Sequence, residues 1–116
     1  MLARRFYEVW VLGGLSKGEA EEIKRCLSEA VMRRAERLRI RIYNKNSEDL
    51  SYLDELKGIL LENVSLSIVV ESRDVGKLVD DLESHEGEIT FIIGPSFQLP
   101  DKARFQGKLR IIEVRG

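Results

Sequence analysis

Strand-like segments alternate with amphipathic segments along most of this 116-residue chain. This alternation constrains the fold more than any other feature, because strands separated by helices pair in parallel through right-handed crossovers. The strand-like segments are rich in β-branched and aromatic residues and cover 6–12, 39–43, 66–70, 89–93 and 109–114. The order predicts one α/β domain over residues 1–116, with a three-layer arrangement, a mostly parallel five-stranded sheet and helices on both faces.

Three helices are expected between the strands, over about 17–38, 49–62 and 72–84. The first begins at a capping box formed by Ser16 and Glu19. The third begins at Ser72 or Asp74, and Gly87 follows it as a helix stop. The strand at 66–70 is a short, mostly apolar run, which predicts burial on both of its faces.

Composition indicates a globular protein and excludes several classes. Hydrophobic residues make up 43% and charged residues 34%, unlike a disordered chain. Cys26 is the one cysteine, so no internal disulfide forms. No apolar run approaches the roughly 18 residues of a membrane span, and the amino terminus lacks a signal-peptide pattern. We expect a cytoplasmic protein that does not bind membranes.

The near-neutral charge hides a strong local division. Residues 24–45 contain eight basic and two acidic side chains, a net charge of +6, whereas 46–88 contain three basic and twelve acidic ones, a net charge of −9. Arginines outnumber lysines by 12 to 7, and the planar guanidinium suits phosphate. The division fits either a phosphate-binding patch or two solvated helix faces.

The candidate catalytic residues do not form a recognisable site. Gly13-Gly14 follows the first strand, but neither the dinucleotide fingerprint nor a phosphate-binding Gly-Lys-Ser/Thr motif is present. His85 is expected to be solvated at a helix end, and Cys26 to be a small buried hydrophobe. Asp80, Asp81 and Glu83 are expected to form a solvated acidic face, so no metal site is predicted.

The segment 88–97 is the most informative one for ligand binding. A strand at 89–93 ends in Gly94, followed by Pro95 and Ser96. Ligands of open α/β sheets lie beyond the carboxyl ends of strands, and glycine lets them approach the backbone. The segment therefore predicts either a pocket rim or an ordinary turn.

Several segments together resemble a known family. Val11-Leu12-Gly13-Gly14, the basic stretch from Lys24 to Arg37, Glu55-Leu56-Lys57-Gly58-Ile59-Leu60 and Phe91-Ile92-Ile93-Gly94-Pro95 occur in the family's order. They are similar to the SPOUT class of RNA methyltransferases, and within it to the small family that methylates a pseudouridine of large-subunit ribosomal RNA. The fold is accordingly expected to be SPOUT-like or Rossmann-like.

This resemblance implies an RNA-associated domain that uses S-adenosylmethionine and forms a homodimer. It implies cofactor contacts at Gly94, Pro95 and Ser96. The arginines expected to contact RNA phosphates are Arg33, Arg34, Arg37 and Arg41. Pro95 stands where the family has a second glycine, and the family continues past the last strand into a knotted helix, whereas this sequence ends at Gly116. The resemblance therefore implies a truncated or degenerate methyltransferase, and no residue is identified as its general base.

Two alternatives remain open on the sequence. One is a non-enzymatic α/β interaction module that binds a protein partner or forms a homodimer, with its basic first helix against its acidic second and third helices. The other is a small-molecule enzyme that uses the loop 96–108, although that loop contains no acid–base pair.

Overall fold

The structure, a computed structural model, describes residues 6–14, 17–44, 58, 67–85, 87–94, 97 and 109–114. The strands are β1 (Phe6–Leu12), β2 (Arg37–Asn44), β3 (Ser67–Asp74), β4 (Ile89–Ile93) and β5 (Leu109–Glu113). The helices are α1 (Lys17–Met32) and α2 (Leu78–Ser84), and a 3-10 turn, Val75–Lys77, precedes α2.

The five strands form one sheet in which every neighbouring pair is parallel. The strand order is β3-β2-β1-β4-β5, so the chain builds outward from β1 to β3 and then returns to β1 with β4. This arrangement confirms the predicted α/β class with a five-stranded parallel sheet. It also places the reversal of strand order between the carboxyl ends of β1 and β4.

A helix packs on each face of the sheet, which confirms the prediction of three layers. Successive strand residues point to opposite faces. Val9, Ile40 and Ile92 share one core with α1. Trp10 and Phe91 belong to the other core, which includes α2. Each fully buried side chain of this kind contributes about 1.5–3 kcal/mol relative to an exposed one.

Strands β1 and β4 have the predicted bounds, but the predicted end of the first helix is wrong. Helix α1 ends at Met32, and Leu38 lies in β2 with no exposed surface. Strand β2 is consequently longer than the predicted 39–43. The helical spacing of apolar residues extended to Leu38 by coincidence. Leu38 belongs to β2 but points into the same core as α1, and its position in the sequence matches the helical period.

The segment from β3 to α2 differs from its prediction in two ways. Strand β3 is half-buried rather than buried on both faces, because it is one of the two edge strands of the described sheet. The strand includes Ser72, and Asp74 caps the 3-10 turn by accepting a hydrogen bond from the Gly76 amide at 2.9 Å. Apart from Gly58, the predicted helix 49–62 lies outside the described residues, as does most of the loop 96–108.

Candidate functional site

Three of the four predicted RNA-binding arginines gather where α1 ends and β2 begins. Arg33 and Arg34 follow α1 directly, and Arg37 is the first residue of β2. Phe6, the first residue of β1, is the direct parallel neighbour of Arg37. We call the surface formed by Phe6, Arg33, Arg34 and Arg37 the amino edge, because it lies where the central strands start.

The turn after α1 holds Arg34 in a left-handed backbone conformation, with φ at 57°. The Ala35 amide donates to the Ala30 carbonyl at 3.0 Å, and the Arg34 amide donates to the Val31 carbonyl at 3.0 Å. This pair of bonds defines a Schellman motif, whose left-handed position is usually glycine. The motif ends the helix and leaves the Arg34 side chain exposed.

Phe6 and Arg37 form an exposed cation–π pair. The Arg37 guanidinium carbon lies 5.6 Å from the centroid of the Phe6 ring, and Phe6 is 52% exposed. Among the residues that the structure describes, neither Arg34 nor Arg37 has an acidic side chain within ion-pair distance. Within the described part of the chain, no carboxylate neutralises their positive charges.

The Arg33 side chain makes more contacts than those of Arg34 and Arg37. Its guanidinium pairs with Glu29 at 2.8 Å and lies 5.8 Å from the centre of the Tyr7 ring. The Tyr7 hydroxyl donates to the other Glu29 oxygen at 2.7 Å. Burial and this hydrogen bond raise the pKa of Tyr7 to about 12, so Tyr7 keeps its proton at neutral pH.

Arg41, the fourth arginine predicted to contact RNA phosphates, lies apart from the amino edge. Its guanidinium carbon lies 5.0 Å from the centroid of the buried Trp10 ring, and its Nε is 3.6 Å from Glu71. Its side chain is only 15% exposed. Arg41 therefore lies within a network of side chains on the α2 face of the sheet, and its contact with RNA stays a prediction.

That network converges on Asp81 of α2. The carboxylate accepts a hydrogen bond from the Tyr43 hydroxyl at 2.6 Å and two from the Arg73 guanidinium, at 2.8 and 3.2 Å. Burial opposes ionisation of Asp81, but these hydrogen bonds outweigh it and lower the pKa of the carboxyl. Burial and the bond to Asp81 raise the pKa of Tyr43. The expectation that Asp81 belongs to a solvated acidic face is wrong.

His85 is likewise not the solvated residue that the sequence predicted. It follows α2, its side chain is only 16% exposed, and its ring meets Trp10 edge-on with centroids 5.6 Å apart. Its Nδ1 lies 4.0 Å from the buried carboxylate of Glu8, which accepts a hydrogen bond from the Trp10 indole at 3.1 Å. Arg39 lies 3.5 Å from the other Glu8 oxygen.

The predicted cofactor rim lies at the opposite edge of the sheet. Gly94 follows β4, whereas Pro95 and Ser96 lie outside the described residues. The Gly94 amide donates to the Leu12 carbonyl at 3.0 Å, so the sheet already uses it. A Cβ on Gly94 would lie 3.0 Å from a carboxylate oxygen of Glu19, and Phe97 lies 3.8 Å from the Cβ position of Gly13.

The contacts of Gly94 with Leu12 and Glu19 limit how S-adenosylmethionine could approach the end of β4. The space beside Gly94 holds the buried Glu19 carboxylate, and the amide offers no donor to a ligand. The described part of the rim therefore does not fit the backbone contact that the sequence predicted at Gly94, and no methyl-transfer step follows from these residues. Cofactor binding at Pro95 and Ser96 stays a prediction.

The two predicted sites are far apart. Phe6 and Leu12 are the first and last residues of β1, and six steps of about 3.3 Å separate them by roughly 20 Å. The amino edge and Gly94 therefore form two separate surfaces. A single ligand of nucleotide size does not span them.

The sequence predictions omitted Phe6 and Arg39. Phe6 fits the apolar pattern of the first strand, and that pattern does not indicate that its side chain is exposed. Arg39 belongs to the alternation of arginine and apolar residues along β2. That alternation indicates that Arg37, Arg39 and Arg41 share one face, a signal that was present in the sequence.

Several classes of site are missing from the described parts of the chain. No group of three or more His, Cys, Asp or Glu side chains is placed to hold a metal ion there. No helix in those parts is long and apolar enough to cross a membrane. Comparison with protein-family models, with curated proteins and with solved structures returns no match.

Proposed function

We propose that this chain is an RNA-associated α/β domain that binds the phosphate backbone through Arg33, Arg34 and Arg37 of the amino edge. One observation carries the proposal. Arg34 and Arg37 present guanidinium groups with no ion-pair partner among the described residues, and Arg37 lies over the exposed Phe6 ring. Arg33 lies over Tyr7, which points to the other face of the sheet at the same edge. Phosphate contacts from such side chains supply affinity without sequence preference.

The local charge supports an anionic partner. Glu29 is the acid that pairs with Arg33, and Glu36 is an exposed acid in the turn before β2. Among the residues that the structure describes here, the three arginines leave an excess of one positive charge over these two carboxylates. Arginine binds phosphate through a planar fork of donors, which gives two parallel hydrogen bonds where lysine presents a single point of charge.

The salt dependence of RNA binding tests the proposal. Fluorescence anisotropy with a labelled single-stranded RNA should show affinity that falls with salt, with a log–log slope of about −2, because three phosphates are neutralised at about 0.7 each. Arg37→Ala or Arg34→Ala should each reduce the magnitude of the slope by about 0.7. The matched control is Arg25→Ala, which removes an exposed arginine from the middle of α1.

Two outcomes would overturn the proposal. One is the absence of RNA binding at 50 mM salt by the folded wild-type chain. The other is an equal loss of affinity in Arg25→Ala and Arg37→Ala, because a diffuse charge effect would then explain binding without the amino edge.

The finer predictions of methyl transfer and dimer formation are separate from this proposal. Calorimetry with S-adenosylmethionine tests the first, and light scattering at low and high salt tests the second. The predicted dimer used a basic first helix, but α1 contains three basic and four acidic residues. The arginines that made the segment basic lie beyond its end, so the charge argument for that dimer is weaker than the sequence suggested.

A further inference from the structure

We infer that the amino edge binds RNA as a single strand, with one unpaired base stacked on Phe6 and an adjoining phosphate held by Arg37. This inference rests on the proposed function and names the form of RNA that the same surface takes. It depends on the Phe6 ring, which phosphate binding alone does not require.

Phe6 is an exception within β1. The other six residues of the strand are buried, whereas Phe6 is 52% exposed although it is fully apolar. An exposed phenyl ring has no polar group that can form a hydrogen bond with water. It does offer a flat face, and every nucleobase stacks on such a face irrespective of sequence.

Arg37 places a positive charge in direct contact with the Phe6 ring. The two residues are direct neighbours in the parallel register of β1 and β2, and the guanidinium lies 5.6 Å from the ring centroid. The cation–π contact keeps the guanidinium over one face of the ring before any ligand arrives, so a base would stack on the opposite face. A nucleotide whose base stacks on Phe6 thus brings its phosphate near a positive charge that is already positioned.

This arrangement suits unpaired nucleotides. In an A-form duplex the base faces are covered by neighbouring base pairs, so duplex RNA is recognised by shape and backbone. A ring on a sheet surface reaches a base face only when the base is unstacked. Duplex RNA would meet the arginines alone, while a single strand would meet the arginines and the ring.

The experiment compares three RNAs of equal length: a single strand, its duplex, and a single strand whose bases are replaced by abasic sites. The variants are Phe6→Leu, which keeps apolar bulk but removes the π face, and the control Ile111→Ala, which alters a partly exposed apolar residue on β5. Circular dichroism confirms that each variant is folded.

The expected result is tighter binding of the single strand than of the duplex or the abasic strand. Phe6→Leu should weaken single-strand binding by about 5- to 150-fold, which is the range for the loss of one base–aromatic stack. It should weaken binding of the other two RNAs far less, because they lose only the contact that positions Arg37, and Ile111→Ala should leave all three unchanged.

The outcomes separate this inference from the proposed function. Equal affinity for all three RNAs, with no effect of Phe6→Leu but a loss in Arg37→Ala, overturns the single-strand inference and leaves phosphate binding intact. No binding of any RNA by the wild-type chain overturns both.

Discussion

At the scale of single residues, Arg34 has a left-handed backbone conformation, which is unfavourable for any residue that carries a Cβ. A left-handed conformation costs a residue with a Cβ about 1–2 kcal/mol, and glycine avoids this cost. The Schellman bonds from Arg34 and Ala35 fix that conformation because they satisfy carbonyls at the end of α1. The chain thus keeps an arginine at a position where stability alone favours glycine.

Replacing Arg34 should therefore separate stability from RNA binding. Arg34→Gly should raise the free energy of unfolding by about 0.5–1 kcal/mol, because relief of the strained backbone exceeds the entropy that glycine adds to the unfolded chain. Arg34→Ala, which keeps a Cβ, should not raise it. Urea unfolding measures both variants, and a stability of Arg34→Gly at or below that of Arg34→Ala would contradict the argument.

The same residue explains one limit of sequence prediction. A helix end is recognised by glycine or proline, and neither occurs between Met32 and Arg37. The predicted burial of Cys26 is confirmed, since apolar spacing within α1 was enough to indicate it. The environment of His85 was not predictable, because its neighbours Trp10 and Glu8 are distant in the sequence.

At the scale of elements, α2 depends on its contacts with the sheet. A helix of seven residues is not stable alone in water. Leu78 and Leu82 bury their side chains in the core that contains Trp10. Asp81 joins the helix to β2 through Tyr43 and to β3 through Arg73. This carboxylate therefore fixes the position of the helix on two strands.

Asp81→Asn should destabilise the protein in a pH-dependent way. The folded state lowers the pKa of Asp81, so its contribution is present above the unfolded pKa of about 4 and is lost as pH falls through the lower folded value. At pH 7 the variant should lose about 1–3 kcal/mol of stability, and the difference from wild type should shrink below pH 4. Denaturant unfolding at several pH values measures it.

Asp80→Asn is the matched control because Asp80 is exposed on the same helix turn. It should change stability by less than about 0.5 kcal/mol at any of these pH values. A constant difference between Asp81→Asn and wild type from pH 7 to pH 3 would show that the charge on Asp81 does not stabilise α2.

The strands that were predicted with correct bounds share one property. Strands β1 and β4 are apolar runs that end at glycine, so local composition specifies both their type and their end. Strand β3 extends through Glu71 and Arg73, where composition alone favoured a helix start. Pairing with β2 continues the strand there, and tertiary pairing of this kind overrides local preference.

At the scale of the whole molecule, the predicted sites occupy opposite edges of one sheet. The layers and the parallel sheet followed from the alternation of strands and helices. The strand order did not, because local patterns do not reveal which strand lies beside β1. The separation of Gly94 from the arginines needs only the parallel arrangement, because parallel strands all begin at one edge of a sheet and end at the other.

Substituting Gly94 tests whether the two edges act independently. Gly94→Ala should destabilise the fold by about 1–3 kcal/mol, because its Cβ would lie 3.0 Å from a Glu19 oxygen and 3.4 Å from the Leu12 carbonyl oxygen. RNA affinity of the folded variant should stay within about twofold of wild type, since distant sites act additively. Denaturant unfolding and anisotropy measure the two effects.

The control for this substitution is Gly58→Ala, where an added Cβ has no neighbouring heavy atom within 4 Å. Gly58→Ala should not lower the free energy of unfolding, and it should leave RNA affinity unchanged. A large loss of RNA affinity in folded Gly94→Ala would mean that the carboxyl-end residues communicate with the amino edge through the sheet.

The alternation along β2 also limits how the gene can change in length. Inserting or deleting one codon within this strand would exchange its two faces. Arg39 and Arg41 would then enter the core beside α1, and Leu38 and Ile40 would leave it. Each guanidinium buried without its carboxylate would cost several kcal/mol, comparable with the whole stability of a small domain. Length variation among descendants of this sequence should therefore fall outside β2.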